Sequence, residues 1–172
     1  MTLLTKIAWF LLAAGTCHQA FADTTLTLPM SGSVRAPTCH WQVGDDNRTI
    51  TLPTLDRRNF PASGAIGAVS FTLRLTGCSA SIAAANFAFV GQSEPSNRAQ
   101  FLNLGSAKGV AINLTDSAGE TIRADGTGST RRVPVTGTSA QIDLTVAYWR
   151  LAAQAVEAGD VKALSTITVT YE

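Results

Sequence analysis

Histidine is almost missing from this chain: 172 residues carry two, His18 and His40. The first lies in a segment expected to be removed, which leaves His40 as the single imidazole of the mature chain. A Ser-His-Asp or Cys-His site could use only that residue, and one histidine cannot build a histidine-rich zinc site. There is no CxxC pair, no glycine-rich phosphate loop closing on Lys-Ser or Lys-Thr, and no GxSxG elbow. Gly126-Thr127-Gly128 lacks the next glycine and the strand–helix context of a nucleotide site. Asp45-Asp46-Asn47 does not have calcium-loop spacing and reads as a solvated turn. Glu120 and Asp125 could be imagined as an acid/base pair, but nothing along the chain brings them together. Arg57-Arg58 and Arg131-Arg132 read as loop charges, and Asn47 and Asn113 head weak glycosylation patterns. No enzyme class, cofactor or metal is expected.

Charge is also scarce, at 15% of residues against 45% hydrophobic, which describes a folded chain rather than a disordered one. Met1 to Ala22 reads as a secretory signal: Lys6 supplies the positive start, Ile7 to Ala14 the apolar run, and Ala20-Phe21-Ala22 the cleavage site. The run is too short to span a bilayer. Without Lys6 the 13 basic residues fall to 12 and balance the 12 acidic ones. A net charge near zero argues against nucleic acid as a partner. Cleavage also removes Cys17. The alternative, a lipoprotein acylated at Cys17, is poorly matched by the preceding Ala-Gly-Thr. The two remaining cysteines, Cys39 and Cys78, are expected to form one disulfide in an oxidising compartment. The loop of about 40 residues it closes is worth about 4 kcal/mol in the chain-entropy picture.

Long helical patterns are missing as well. Short alternating runs between turn signals imply an all-β sandwich in a single domain. Strands are expected at His40 to Val43, Thr49 to Leu52, Phe71 to Thr76, Ala85 to Val90, Gly109 to Leu114, Ile142 to Trp149 and Ser165 to Glu172. Loops are expected at Pro53 to Gly67, Gln92 to Arg98 and Asp125 to Arg132. In the last strand Ile167, Val169 and Tyr171 share one face, with threonines on the other.

One further run has no evident partner. From Thr24 to Val34, the residues Leu26, Leu28, Met30, Gly32 and Val34 occupy every second position, as in a half-buried strand. It precedes the first cysteine of the folded part, with no hairpin partner nearby. No closing strand follows Ser165 to Glu172, although a seven-stranded sandwich needs one. A sandwich short of one strand exposes core residues, each worth roughly 1.5–3 kcal/mol when buried. An alternating strand from a neighbour would meet that need.

At this point the chain resembles the pilins of the chaperone–usher pathway, particularly type 1 fimbrial minor subunits. The match rests on Tyr171 as penultimate residue, Gly159 as fourteenth from the C-terminus, and Gly32 seven residues before Cys39. Phe71 to Cys78 and Gly109 to Asp116 add to it. The resemblance implies an all-β, incomplete immunoglobulin-like β-sandwich lacking its last strand and completed by donor-strand exchange, a known form of strand addition. It implies a signal peptide at 1–22, an N-terminal donor-strand extension at 23–38 and a pilin domain at 39–172. The implied partners are a periplasmic pilus chaperone, an outer-membrane usher and neighbouring pilin subunits, on a route through the periplasm to a cell-surface fimbrium. Leu26, Leu28, Met30, Gly32 and Val34 are then the donor face. Gly159, Ile167, Val169, Tyr171 and Glu172 form the groove and chaperone-recognition set, with the Glu172 carboxylate anchored in the chaperone cleft. Pro29 departs from the pattern, since it removes one ladder hydrogen bond. The competing reading is a stand-alone secreted β-sandwich that binds a carbohydrate or host receptor.

Overall fold

The computed structural model describes Ser31, residues 38–152 and residues 154–172. The expected signal and all five donor-face residues, Leu26, Leu28, Met30, Gly32 and Val34, lie outside the described residues.

The described residues form two sheets. Strands β1 (His40–Trp41), β2 (Gly64–Thr76), β3 (Ala84–Gly91), β4 (Ser93–Glu94), β5 (Asn97–Phe101), β6 (Val110–Asp116), β7 (Thr130–Pro134), β8 (Ala140–Arg150) and β9 (Ser165–Tyr171) follow in chain order. The larger sheet is ordered β1-β2-β8-β6-β5-β4 and the smaller β7-β3-β9. Every named strand pair is antiparallel. Among the described residues a single 3-10 turn, Arg57–Asn59, is capped by the Asp56 carboxylate, which accepts from the Arg58 N–H.

Alternation places the core. Leu73 and Leu75 on β2, Phe87 and Phe89 on β3, Ile112 and Leu114 on β6, and Ile142 and Leu144 on β8 all turn inward and are buried. Trp41 meets Phe87 edge to face with ring centroids 5.9 Å apart, so β1 of one sheet reaches across to the centre of the other. The Cys39–Cys78 disulfide forms as expected and staples the start of β1 to the residues after β2.

Four local expectations need correction. Gln92 to Arg98 is not loop: it holds β4 and the start of β5, a hairpin turning at Pro95-Ser96. There Glu94 Oε1 accepts from the N–H and hydroxyl of Ser96, a local turn that polarity alone does not distinguish from a loop. Arg131 and Arg132 lie in β7, not in a loop. β2 begins at Gly64, inside the expected connection, with a register shift between Ile66 and Val69. Thr49 to Leu52 is not a strand; Leu52 packs against the core from irregular backbone.

Candidate functional site

β9 is the element around which a site can be built. It pairs with β3 along its whole length, from Gly91 opposite Ser165 to Ala85 opposite Tyr171. Among the described residues no strand pairs with its other edge. The direction of its backbone groups follows from one pair. Glu172 N–H donates to Ala84 O at 2.9 Å and Ala84 N–H donates to Glu172 O at 3.3 Å. Alternation along an antiparallel ladder then turns Thr170, Thr168 and Thr166 toward β3, and the N–H and C=O groups of Tyr171, Val169 and Ile167 toward the open edge. Those same three residues carry the inward apolar side chains, which are half-buried and pack against the core. The edge thus presents hydrogen-bonding groups and an unfinished apolar surface together, the combination that accepts another strand.

The same face continues ahead of β9. Val161 and Ala163 are half-buried against the core at the same parity. At that end lies a cavity of about 400 Å³ lined by Leu55, Phe60, Tyr148, Val156 and Val161 among others. Tyr148 Oη donates to Pro53 O at 3.1 Å and its ring meets Phe60 edge to face, which fixes the cavity's far wall. At the opposite end Tyr171 Oη donates to Cys39 O at 3.4 Å, tying the end of β9 to the disulfide.

The segment leading into β9 is stitched to residues 102–109. Leu104 N–H donates to Lys162 O at 2.7 Å, Ala107 N–H to Asp160 O at 3.0 Å, and Glu157 N–H to Lys108 O at 3.1 Å. Asn103 Oδ1 accepts from the N–H groups of Gly105 and Lys162, while its Nδ2 donates to Ala107 O. Gly159 sits inside this seam. A Cβ there would stand 2.5 Å from Ala107 N and 2.8 Å from Ser106 C, so only a residue without a side chain allows the two segments to approach. Gly159 therefore sets the spacing of the two segments and lines the cavity. Asn103 and its flanking glycine were not singled out by sequence reasoning; the usable signal is the Asn-Leu-Gly triplet of an Asx turn.

Glu172 lies on the outer side of the smaller sheet. Its Oε1 accepts from Asn86 Nδ2 at 2.6 Å and its Oε2 from Arg132 Nε at 2.9 Å. These hydrogen bonds, Asn86 foremost, hold its carboxyl below the usual carboxylate range. Its main-chain oxygen also accepts from Ala83 N–H at 2.6 Å.

The residues that could have suggested chemistry are spent on structure. Asp125 is held by Arg123 and Thr127, which lower its pKa strongly. Asp45 accepts from the Arg74 N–H and pairs with Arg48. Asn113 is only 6% exposed in β6, which removes it as a glycan acceptor on the folded chain. Among the described residues no group of three or more His, Cys, Asp or Glu side chains could hold a metal. No described helix is long and apolar enough to cross a membrane.

Comparison with known proteins points the same way. The profile of a family described as "Fimbrial protein" matches residues 28–172. The S-fimbrial protein subunit SfaG of Escherichia coli O6:K15:H31 is 27% identical over 163 residues, covering 91% of this chain and 88% of that protein. The minor fimbrial subunit HifD of Haemophilus influenzae is 32% identical over 151 residues, covering 78% of this chain and 68% of that protein. The crystal structure of the P pilus rod subunit PapA superimposes with a TM-score of 0.67 at 19% identity, covering 80% of this chain and all of that one.

Proposed function

Because the chain belongs to the fimbrial protein family, a family of structural pilus subunits rather than enzymes, we propose that it is polymerised into an adhesive fimbria by donor-strand exchange. The open edge of β9 accepts a strand, and residues 23–38 supply one to the next subunit. The observation that carries this reading is the coincidence at Ile167, Val169 and Tyr171 of inward apolar side chains with backbone groups turned to the open edge.

In transit a periplasmic chaperone lends a strand to the groove, and at the outer-membrane usher the N-terminal strand of the following subunit replaces it. Leu26, Leu28, Met30, Gly32 and Val34 form the inserted face. Gly32 lets the donor backbone approach a crowded stretch of the groove. Recognition by the chaperone centres on β9 and Glu172. The Glu172 side chain is engaged by Asn86 and Arg132 on the outer side of the smaller sheet.

The test is co-purification of the subunit with a pilus chaperone, followed by challenge with a synthetic peptide spanning Asp23 to Val34. The peptide displaces chaperone and yields a stable complemented subunit; a subunit deleted for the same residues still binds chaperone but does not join a fibre. A monomer that folds reversibly and durably with no added or self-inserted strand overturns the proposal.

A further inference from the structure

We infer that the apolar cleft formed by Val90, Leu102, Leu104 and Leu164 is the seat for the globular domain of a second copy of this chain, the one whose N-terminal strand fills the groove. The inference rests on the donor-strand reading above.

Among the described residues four large hydrophobic side chains are exposed, and three of them meet here: Val90 at 47%, Leu104 at 41% and Leu164 at 69%. With Gly91, Gln92, Leu102 and Thr166 they line a cleft of about 240 Å³. The approach is tight. A Cβ on Gly91 would stand 2.5 Å from Leu164 O and 2.7 Å from the Phe101 ring, so the residues leading into β9 lie directly on the end of β3. Clustering of this kind marks an interaction surface, whereas scattered exposed residues do not.

Direction and length identify the occupant. Every described strand pair is antiparallel, the more stable pairing per residue, so a completing strand runs antiparallel to β9. Its C-terminal end then lies at Ser165, next to Leu164. Beyond Val34 the donor has four residues, Arg35 to Thr38, before Cys39 opens its own domain. Four residues reach about 14 Å when fully extended. The donor's domain is thereby held against the Ser165 end of the acceptor, where the cleft is. On the donor, the surface delivered is the end where Tyr171 meets Cys39. The contact is heterologous, one end of each copy against the opposite end of the next, and it repeats without closing.

The test uses the mature chain carrying Leu164→Cys and compares two species. In one the groove holds the Asp23 to Val34 peptide. In the other it holds the strand of a second full-length copy whose own groove is occupied by chaperone. A bulky maleimide reacts with the introduced thiol on the order of tenfold more slowly in the two-copy species, because a packed interface excludes the reagent. Equal rates in the two species overturn the inference while leaving strand exchange intact. If neither peptide nor second copy enters the groove, the donor-strand reading fails and this one with it. Independently, Leu104→Asp with Leu164→Asp leaves peptide uptake unchanged and broadens the interdomain distance distribution of the two-copy species in small-angle scattering; an unchanged distribution overturns the inference.

Discussion

Arg131 on β7 holds Asp116 on β6 at 2.5 Å, and through this pair the smaller sheet is tied to the larger. The carboxylate also accepts from the N–H groups of Ala118 and Glu120, so one side chain organises both the turn after β6 and the contact between sheets. Arg131 in turn donates to the carbonyls of Gly128 and Thr121.

This pair gives stability a defined pH dependence. Burial alone pushes the Asp116 pKa up, but the Arg131 guanidinium and the two turn N–H groups outweigh it and hold the carboxyl below its ordinary value. A depressed folded-state pKa contributes stability that is fully present above the unfolded value, near pH 4, and is lost as pH falls through the folded value. Asp116→Asn therefore lowers stability by about 1 kcal/mol at neutral pH and flattens the loss below about pH 4. Denaturant midpoints of the peptide-complemented subunit across that range check it; an unchanged acid slope sinks it.

Substitutions on the two faces of β9 separate groove function from sheet stability. Val169→Asp places a charge on the unfinished apolar face and abolishes uptake of the Asp23 to Val34 peptide. Thr168→Asp, one residue away on the exposed outer face, leaves uptake within about a factor of two, since surface changes away from special features are usually worth under 0.5 kcal/mol. Comparable losses from both would show that the inward face has no special part.

Gly159→Ala forces Cβ against backbone at Ala107 and Ser106. Neither neighbour is a side-chain tip that can swing away, so the seam opens at a cost of about 1–3 kcal/mol. Faster hydrogen exchange at the Ala107 and Leu104 amides reports it directly. Wild-type protection there would rule out a spacing role for this glycine.

Replacing both disulfide cysteines by serine releases a loop closed over a sequence separation of 39 and lowers stability by about 4 kcal/mol. In the complemented subunit this is measurable as a shift in the urea midpoint.

Much of this architecture is legible in the chain because alternation fixes which side chains face inward. Leu73, Leu75, Ile142, Leu144, Ile167 and Val169 all fall on their expected faces. The pairing of Cys39 with Cys78 is equally plain once Cys17 is set aside with the signal. What escapes is structure held by few or polar residues. β4 has two residues and β5 is largely polar, and Gln92 to Arg98 reads as loop because a two-residue strand has no period to detect. β7 is hidden for a different reason: its outward Arg132 and inward Arg131 are both charged, so alternation carries no hydropathy contrast until one knows that Asp116 waits on the neighbouring sheet. The groove itself is legible only as a shortage, since the inward face of β9 looks like that of any buried strand. The seam at Asn103 is a long-range arrangement whose partners, Lys162 and Gly105, sit on either side of three further strands.

That seam bears on how quickly a strand can be accepted. On the donor-strand reading, Asn103 and the backbone ties from Leu104 to Lys108 brace the run from Glu157 to Lys162 with groups that lie outside the open edge of β9. One wall of the acceptor is consequently set in shape beforehand, and the entropy of ordering falls almost wholly on the arriving strand. An acceptor braced in this way behaves as a rigid mould: what it discriminates is the fit of the guest, and the rate of capture tracks how readily each candidate strand extends.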